Sequence, residues 1–186
     1  MMDAQTLMAL VEGYHEPDDG ALSKSRELTL LLLACTPAPF SRHQFTPGHI
    51  TATGLVLAPD GERLLIVHHR RLDRWLLPGG HVDREDAEIW DSARREVVEE
   101  TGAQLATAAR PPLAGLDVHG IPLKRGEPYH LHHDLIFQFQ AVTEDLQVSE
   151  ETRAVAWCAP GQFDLYHLPP NVRRAYARVR ELSSST

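Results

Sequence analysis

Three glutamates lie within five consecutive positions of a segment whose glutamate, arginine and alanine content predicts a helix. At about 100° per residue, Glu96, Glu99 and Glu100 share a sector of roughly 100° on one helix face. Carboxylates packed so closely repel one another, and Mg²⁺ or Mn²⁺ compensates them well because hard cations prefer oxygen ligands. Arg95 adjoins the cluster and can neutralise and orient one carboxylate, with Glu99 as the first candidate. The spacing therefore predicts a dication site.

A glycine-rich corner precedes this helix. Pro78 is followed by Gly79 and Gly80, which allows a tight turn and lets bare backbone approach a ligand closely. A carbonyl oxygen of Gly79 or Gly80 can thus complete the coordination of a metal ion. A Glu-x-x-Glu-Glu pattern by itself is common on solvated helix faces, but the upstream glycine pair and the preceding arginine favour the metal site.

The segment from Gly80 to Ala103 resembles the Nudix box. That pattern is a glycine, an acidic residue, then Arg-Glu, an apolar residue, any residue, Glu-Glu, any residue, Gly and an apolar residue. The second half matches in full, as Arg95-Glu96-Val97-Val98-Glu99-Glu100-Thr101-Gly102-Ala103. In the first half Asp86 stands where the family usually has glutamate, and the gap to Arg95 is one residue longer. We expect the extra residue in the loop before the helix or in its first turn. The resemblance covers about residues 48–160.

The resemblance implies a hydrolase that uses Mg²⁺ or Mn²⁺ to cleave a phosphoanhydride bond in a nucleoside diphosphate linked to another moiety. It implies Glu96 and Glu100 as direct metal ligands, with Glu99 as a ligand or the general base. Reactions of this kind depend on charge neutralisation and in-line positioning, which bound dications supply.

A further catalytic carboxylate is implied beyond the box. Members of the family often place one in a loop shortly before a strand that bears a tryptophan. Trp157 is such a tryptophan, and Glu151 precedes it at a suitable spacing, with Glu150 as the alternative. Two exposed loop glutamates without a catalytic role are the remaining interpretation.

The elements that must position these residues divide the chain into three parts. Residues 1–46 form a predicted helical extension, with a helix from Asp3 to about Gly13, a turn at 17–20 and a helix over 23–35. The domain itself spans 47–168, and residues 169–186 form a C-terminal helix, over 170–182, and a tail. Within the domain we expect strands at 50–57, 63–69, 113–118, 130–142 and 153–158, around a helix over 86–101. Strands on both sides of one central helix predict a mixed sandwich of the α+β class. The family resemblance implies its Nudix-type form, an α/β/α sandwich with a mixed sheet.

Histidines are abundant, 11 in all, and several lie close together in the sequence. On a strand, His132 and Asp134 share one face, where they can contact phosphate or bind another metal such as zinc. Hydrogen-bonded structural histidines are the commoner case. His81, directly after the glycines, is a candidate phosphate contact, and Trp75 a candidate stacking partner for a base, although aromatic residues more often fill cores.

The composition restricts the possible partners. A net charge of -8 argues against a nucleic-acid polymer but suits a small phosphorylated substrate that dications bridge to the protein. The leucine-rich run 28–35 ends in Cys35 and so resembles a lipoprotein signal, but acidic residues precede it and it is shorter than the roughly 20 residues that span a bilayer. We interpret it as a buried helix. Because the sequence has two cysteines, Cys35 and Cys158, we expect a cytoplasmic protein without a disulfide framework. The helical extension is also a candidate homodimer contact.

Two other functions compete with hydrolysis. One is a Nudix-fold module that binds a nucleotide such as ADP-ribose without turnover, against which the intact Arg95, Glu96, Glu99 and Glu100 argue. The other is an isopentenyl diphosphate isomerase, which needs a catalytic cysteine inside the domain. Cys35 lies outside the domain and Cys158 lies next to the closing tryptophan, so that fit is poor.

Overall fold

The computed structural model describes residues 2–14, 19–124 and 126–184. Its four α-helices in this part of the chain are α1 Ala4–Glu12, α2 Gly20–Cys35, α3 Ile89–Thr101 and α4 Pro170–Ser184. The strands are β1 Gly48–Leu57, β2 Leu64–His69, β3 Arg74–Leu76, β4 Gly79–His81, β5 Leu113–Ile121, β6 His130–Gln140 and β7 Thr152–Cys158. The predicted turn at 17–20 falls largely on residues 15–18, which lie outside the described residues.

Strand β1 runs through the middle of a seven-stranded mixed sheet. It pairs in parallel with β6 along its whole length. On its other side it pairs antiparallel first with β4, beside residues 51–53, and then with β2 at Leu57. Strands β3 and β7 pair antiparallel with β2, and β5 pairs antiparallel with β6. This mixed sheet between helices confirms the predicted α+β fold.

Alternate residues of β1 contribute to two separate hydrophobic cores. Ile50, Ala52 and Val56 pack in one cluster with buried residues of α1, α2 and α3, on what we call the α3 face of the sheet. Leu55 and Leu57 pack in the other cluster with buried residues of α4, on the α4 face. Because both faces of the sheet are covered at the C-terminal end of β1, the sequence of the strand is apolar there, at Leu55, Val56 and Leu57.

The N-terminal extension packs onto the sheet as two capped helices. The Asp3 carboxylate accepts hydrogen bonds from the first-turn amides of α1, and Asp19 does the same for α2 through Leu22 N at 3.0 Å. Leu32 and Leu33 of the leucine-rich run are buried in the core, as expected of a buried helix. None of the helices in the described ranges is long and apolar enough to cross a membrane.

Two local differences from the sequence prediction concern the segment around the glycines. The helix α3 begins at Ile89 rather than Asp86, because the Asp91 carboxylate accepts from Glu88 N and the preceding residues turn back on themselves. In that turn the Asp86 carboxylate accepts from Asp83 N at 3.1 Å. The segment that we predicted only as a glycine-rich corner contains β3 and β4, whose ladder partners come from distant strands.

Candidate active site

The carboxylates of α3 lie directly against strand β4. Glu100 is 4% exposed, and its Oε2 accepts a hydrogen bond from Gly79 N at 3.1 Å. The Glu96 carboxyl lies so close to Gly80 that a Cβ there would come within 2.7–2.8 Å of its atoms. Gly80 therefore has to be glycine if Glu96 is to keep this position, because any larger residue would bring its Cβ against the carboxyl. The coordination of a metal ion by a glycine carbonyl stays a prediction.

Arg95 bridges several acidic side chains rather than Glu99 alone. Its Nη1 lies 2.8 Å from Glu96 Oε1 and 3.2 Å from Glu99 Oε2, and its Nη2 lies 3.1 Å from Asp86 Oδ2. The same Nη2 donates to the His81 carbonyl at 2.9 Å. Burial opposes ionisation of Asp86, but the hydrogen bonds from Arg95 and the Asp83 amide, the nearby Ser92 hydroxyl and the Arg95 charge together outweigh it and hold the pKa of that carboxyl below its usual value. Asp86 thus reaches Arg95 from the loop before α3, despite the longer gap in the sequence.

The electrostatics of the cluster oppose ionisation of the buried Glu100 and the half-buried Glu96. Burial raises the pKa of Glu100 to about 8, against the hydrogen bond from Gly79, and the charges of Glu96, Glu151 and Glu99 add to the rise. Burial also raises the pKa of Glu96, although Arg95 partly offsets it. A bound cation is the group that would let both carboxylates ionise at neutral pH.

Strand pairing brings a residue from beyond the box into this cluster. Because β7 pairs with β2, the segment before β7 lies beside the end of β2, and Arg70 N donates to the Glu151 carbonyl at 2.9 Å. One ligand atom from each of His69, Glu100 and Glu151 lies within 4.8 Å of the other two. Glu150 is not a member of this group. The geometry thus brings Glu151 and His69 next to Glu100 of the box, while a catalytic role of Glu151 stays a prediction.

Sequence reasoning assigned no role to His69, because nothing in its spacing relates it to the box. Its Nδ1 accepts hydrogen bonds from Arg71 N at 3.1 Å and Leu72 N at 3.3 Å. In the neutral ring the proton is therefore on Nε2, which makes His69 a hydrogen-bond donor rather than a metal ligand. Burial lowers the pKa of His69, which favours this neutral form.

Known proteins resemble this chain in sequence as well as in fold. A family model described as the NUDIX domain matches residues 48–180. The chain belongs to the Nudix family. The putative 8-oxo-dGTP diphosphatase of Bacillus subtilis (strain 168) is 31% identical to this Nudix protein over 121 residues, which cover 64% of this chain and 73% of the relative.

Solved structures share the fold. The MutT protein from Methanosarcina mazei Go1 superposes with a TM-score of 0.54 at 24% identity, covering 72% of this chain and 94% of that one. The NUDIX domain of Shewanella oneidensis NrtR, solved with ADP ribose, superposes with a TM-score of 0.54 at 17% identity, covering 81% and 96%. Together with the family match and the B. subtilis relative, the intact box makes this chain a MutT-like Nudix hydrolase, as its sequence predicted.

The remaining predicted site residues of the Nudix hydrolase lie away from the carboxylates. Trp75 is half-buried, and its ring centroid lies 5.1 Å from that of His68 and 4.9 Å from that of Tyr166. His81 and His132 lie on the α4 face. His81 pairs with Thr51 of β1, and Thr51 points to the α4 face because its neighbours Ile50 and Ala52 point to the α3 face. A contact of Trp75, His81 or His132 with substrate stays a prediction.

Asp134 does not join His132 as a free ligand. Thr51 Oγ1 donates to the Asp134 carboxylate at 2.9 Å and Thr53 Oγ1 at 2.8 Å. Burial raises the pKa of Asp134. The two threonine hydroxyls thus fix the position of the Asp134 carboxyl, which has hydrogen-bond partners of its own.

The cysteines do not support the isomerase interpretation. Cys158 is fully buried at the end of β7, and burial raises the pKa of its thiol to about 11. A thiol in that state is a poor nucleophile and acid at neutral pH. Cys35 lies at the end of α2, in the extension.

Proposed function

We propose that this Nudix hydrolase depends on Mg²⁺ or Mn²⁺ and cleaves a phosphoanhydride bond in a nucleoside diphosphate linked to another moiety. The observation that supports it most is the gathering of carboxylates beside β4. Glu100 is buried against Gly79, the half-buried Glu96 lies against Gly80, and the exposed Glu151 has a carboxylate oxygen within 4.8 Å of one of Glu100. The donors are oxygen atoms, which are the ligands that these two dications prefer. A cation would also counteract the burial and the neighbouring negative charges that together raise the pKa of Glu100.

Each residue has a distinct proposed role. Glu96, Glu99 and Glu100, with the carbonyl of Gly80, would hold the dications, which neutralise phosphate charge and lower the pKa of water. Arg95 keeps the Glu96 and Glu99 carboxylates in place through its two hydrogen bonds.

Glu151 is the proposed general base. Its side chain is exposed at the edge of the cluster, where water reaches it, and one of its carboxylate oxygens lies within 4.8 Å of a Glu100 carboxylate oxygen and of a His69 ring nitrogen. The His69 Nε2–H is a suitable donor to the Glu151 carboxylate or to a substrate phosphate oxygen. Glu99 and Glu100 are the alternative bases that the family resemblance leaves open.

The substrate class is a nucleotide small enough to bind without a basic groove. The relative's printed activity makes 8-oxo-dGTP the first compound to test, followed by unmodified nucleoside triphosphates, ADP-ribose, dinucleoside polyphosphates and sugar nucleotides. We propose that the net negative charge of the chain is offset at the site by the dications.

A substrate panel with a neighbouring pair of variants tests this proposal. Product release is measured with Mg²⁺, with Mn²⁺ and with EDTA, for the unaltered chain and for Glu151→Gln and Glu150→Gln. We expect turnover with either ion, none in EDTA, and a fall of about 10²-fold in kcat for Glu151→Gln, the scale of losing general-base catalysis. Glu150→Gln is the matched control and should keep nearly full activity. Equal effects of the two variants would remove Glu151 from the mechanism, and turnover in EDTA would overturn the metal requirement.

A further inference from the structure

A second cluster of potential ligands lies on the opposite side of β4 from the carboxylates. Five histidines from four strands meet on the α4 face, with ring centroids of neighbouring members 4.7–5.7 Å apart. They are His49, His81, His119, His130 and His132, and we call them the histidine cluster. The strand register produces it, because His132 is paired with His49 on one side and with His119 on the other.

The most buried member of the cluster has an unused lone pair. His49 is 1% exposed, and its Nδ1 lies 3.1 Å from the carbonyl oxygen of Gln44. A carbonyl only accepts, so Nδ1 carries the proton and Nε2 is left as the basic nitrogen. That Nε2 is buried and has no hydrogen-bond partner among the described residues. A buried polar atom without a partner is costly, and a ligand to this nitrogen would remove the cost.

Neighbouring histidines are held in the same tautomer. His119 Nδ1 lies 2.9 Å from an Asp117 carboxylate oxygen, and His130 Nδ1 lies 2.8 Å from the Pro128 carbonyl. Each contact places a proton on Nδ1 of the neutral ring and leaves Nε2 as an acceptor. A carboxylate or carbonyl behind the imidazole is the arrangement that orients histidine ligands in metal sites.

We propose that His49, His81 and His132 form a binding site for a divalent transition-metal cation, of which Zn²⁺ is the best fit. One nitrogen of each residue lies within 4.8 Å of the nitrogens of the other two. Tetrahedral zinc with bonds of about 2.0–2.1 Å needs ligand nitrogens about 3.3 Å apart. The His81 and His132 side chains are only partly buried, so rotation of these two rings toward the fixed His49 closes the difference.

The chemistry of the donors separates this site from the carboxylate cluster. Imidazole nitrogen suits Zn²⁺ and its neighbours in the first transition series, whereas Mg²⁺ prefers oxygen. Gly80 faces Glu96 while the next residue, His81, points to the opposite face of the sheet. One short strand thus separates two groups with different metal preferences. The fourth position of the proposed site is open to water, to His119 or His130, or to an anionic group of a bound molecule.

Zinc uptake in the presence of excess Mg²⁺ tests the proposal without reference to activity. The full chain is stripped with a chelator, returned to Mg²⁺ buffer and titrated with Zn²⁺ against a competing chelating dye. We expect one Zn²⁺ per chain, and Co²⁺ should give the intense visible absorption of a tetrahedral nitrogen site. The double variant His81→Gln/His132→Gln should bind Zn²⁺ at least about 10²-fold more weakly, since even outer contacts of metal ligands change affinity by 10–100-fold.

Two further variants decide between possible sites. His43→Gln is the matched control, because His43 is exposed and its ring contacts Phe45 rather than the cluster triad. It should keep full zinc uptake, and so should Glu100→Gln. Loss of zinc binding in Glu100→Gln would place the ion at the carboxylates and overturn the proposal. So would the absence of zinc uptake by the unaltered chain, or uptake that the double variant retains while circular dichroism shows it folded. Failure of the zinc proposal would leave the proposed hydrolysis standing, because turnover with Mg²⁺ or Mn²⁺ tests hydrolysis separately.

Discussion

Replacement of Glu100 by glutamine should stabilise the metal-free protein while nearly abolishing its activity. Glu100 is buried beside Glu96 and Glu151, and its pKa is raised to about 8 from a usual 4.5. Its Oε2 accepts from Gly79 N at 3.1 Å, a bond that a glutamine amide oxygen can also accept. Folding near neutral pH therefore requires Glu100 to take up a proton or to bury its charge. Glutamine avoids both costs and keeps the favourable hydrogen bond.

The size of the effect follows from the two pKa values. A carboxyl whose pKa is higher in the folded state costs no stability below pH 4.5, and the cost grows until the pH passes about 8. Each pH unit in that interval is worth about 1.4 kcal/mol, which gives about 3 kcal/mol at pH 7 as an upper figure. Relaxation of the site reduces this, so we expect a gain of about 1–3 kcal/mol, or a rise in Tm of several degrees for a chain of this length.

Thermal unfolding in EDTA at pH 5 and at pH 7.5 measures this gain. The difference in Tm between Glu100→Gln and the unaltered chain should be large at pH 7.5 and should shrink toward pH 5. Saturating Mg²⁺ should narrow or reverse it, because the ion stabilises the unaltered chain more than the variant. Turnover with Mg²⁺ should fall by about 10²-fold or more, as expected when a main source of charge stabilisation is lost.

Glu99→Gln is the control for this experiment. The Glu99 side chain is 59% exposed, so its removal should change the stability in EDTA little. If Glu100→Gln unfolded at or below the temperature of the unaltered chain, or if its gain did not depend on pH, the electrostatic account of the cluster would be refuted.

Three other substitutions test residues that hold the carboxylates in place or that join the N-terminal extension to α4. Gly80→Ala should fold with nearly unchanged Tm, because the atoms nearest to the added Cβ belong to the Glu96 carboxyl, which can move. Its Mg²⁺ affinity, measured by calorimetry, should fall about 10-fold. The control Gly161→Ala, with open space around the added Cβ, should keep its Mg²⁺ affinity. Arg95→Lys should lower both kcat and Tm, since lysine cannot reproduce the forked contacts of the guanidinium; retention of full activity would contradict its positioning role. Asp19→Asn keeps a cap for α2 but loses the ion pair with an arginine of α4 at 2.6 Å, so urea unfolding at pH 7 should show a loss of about 1–2 kcal/mol. Because the pKa of Asp19 is lowered in the folded state, that stability is present above about pH 4 and is lost as the pH falls, and an equal loss at pH 2.5 would contradict this.

Local spacing in the sequence was sufficient for the catalytic helix. The positions of Glu96, Glu99 and Glu100 along one segment place them on one face of any α-helix, whatever the rest of the chain does. The run of Pro78, Gly79 and Gly80 likewise predicts a tight corner from the conformational freedom of its own residues. These features depend on neighbours in the chain, so sequence alone predicts them.

Tertiary structure decided which distant residues join each group. Glu151 and His69 approach Glu100 because β7 pairs with β2, and sequence reasoning reached Glu151 through family resemblance and did not reach His69. His49 and His81 meet His132 because β1 lies between β4 and β6 in one particular register.

The physical reason is the two-residue period of a strand. A shift of one position in pairing would move every side chain of that strand to the other face of the sheet. The sequence alone therefore determined the box, its helix and the five longer strands, but not β3 and β4. The long-range register, which only the packed cores select, determined that carboxylates gather on one side of β4 and histidines on the other.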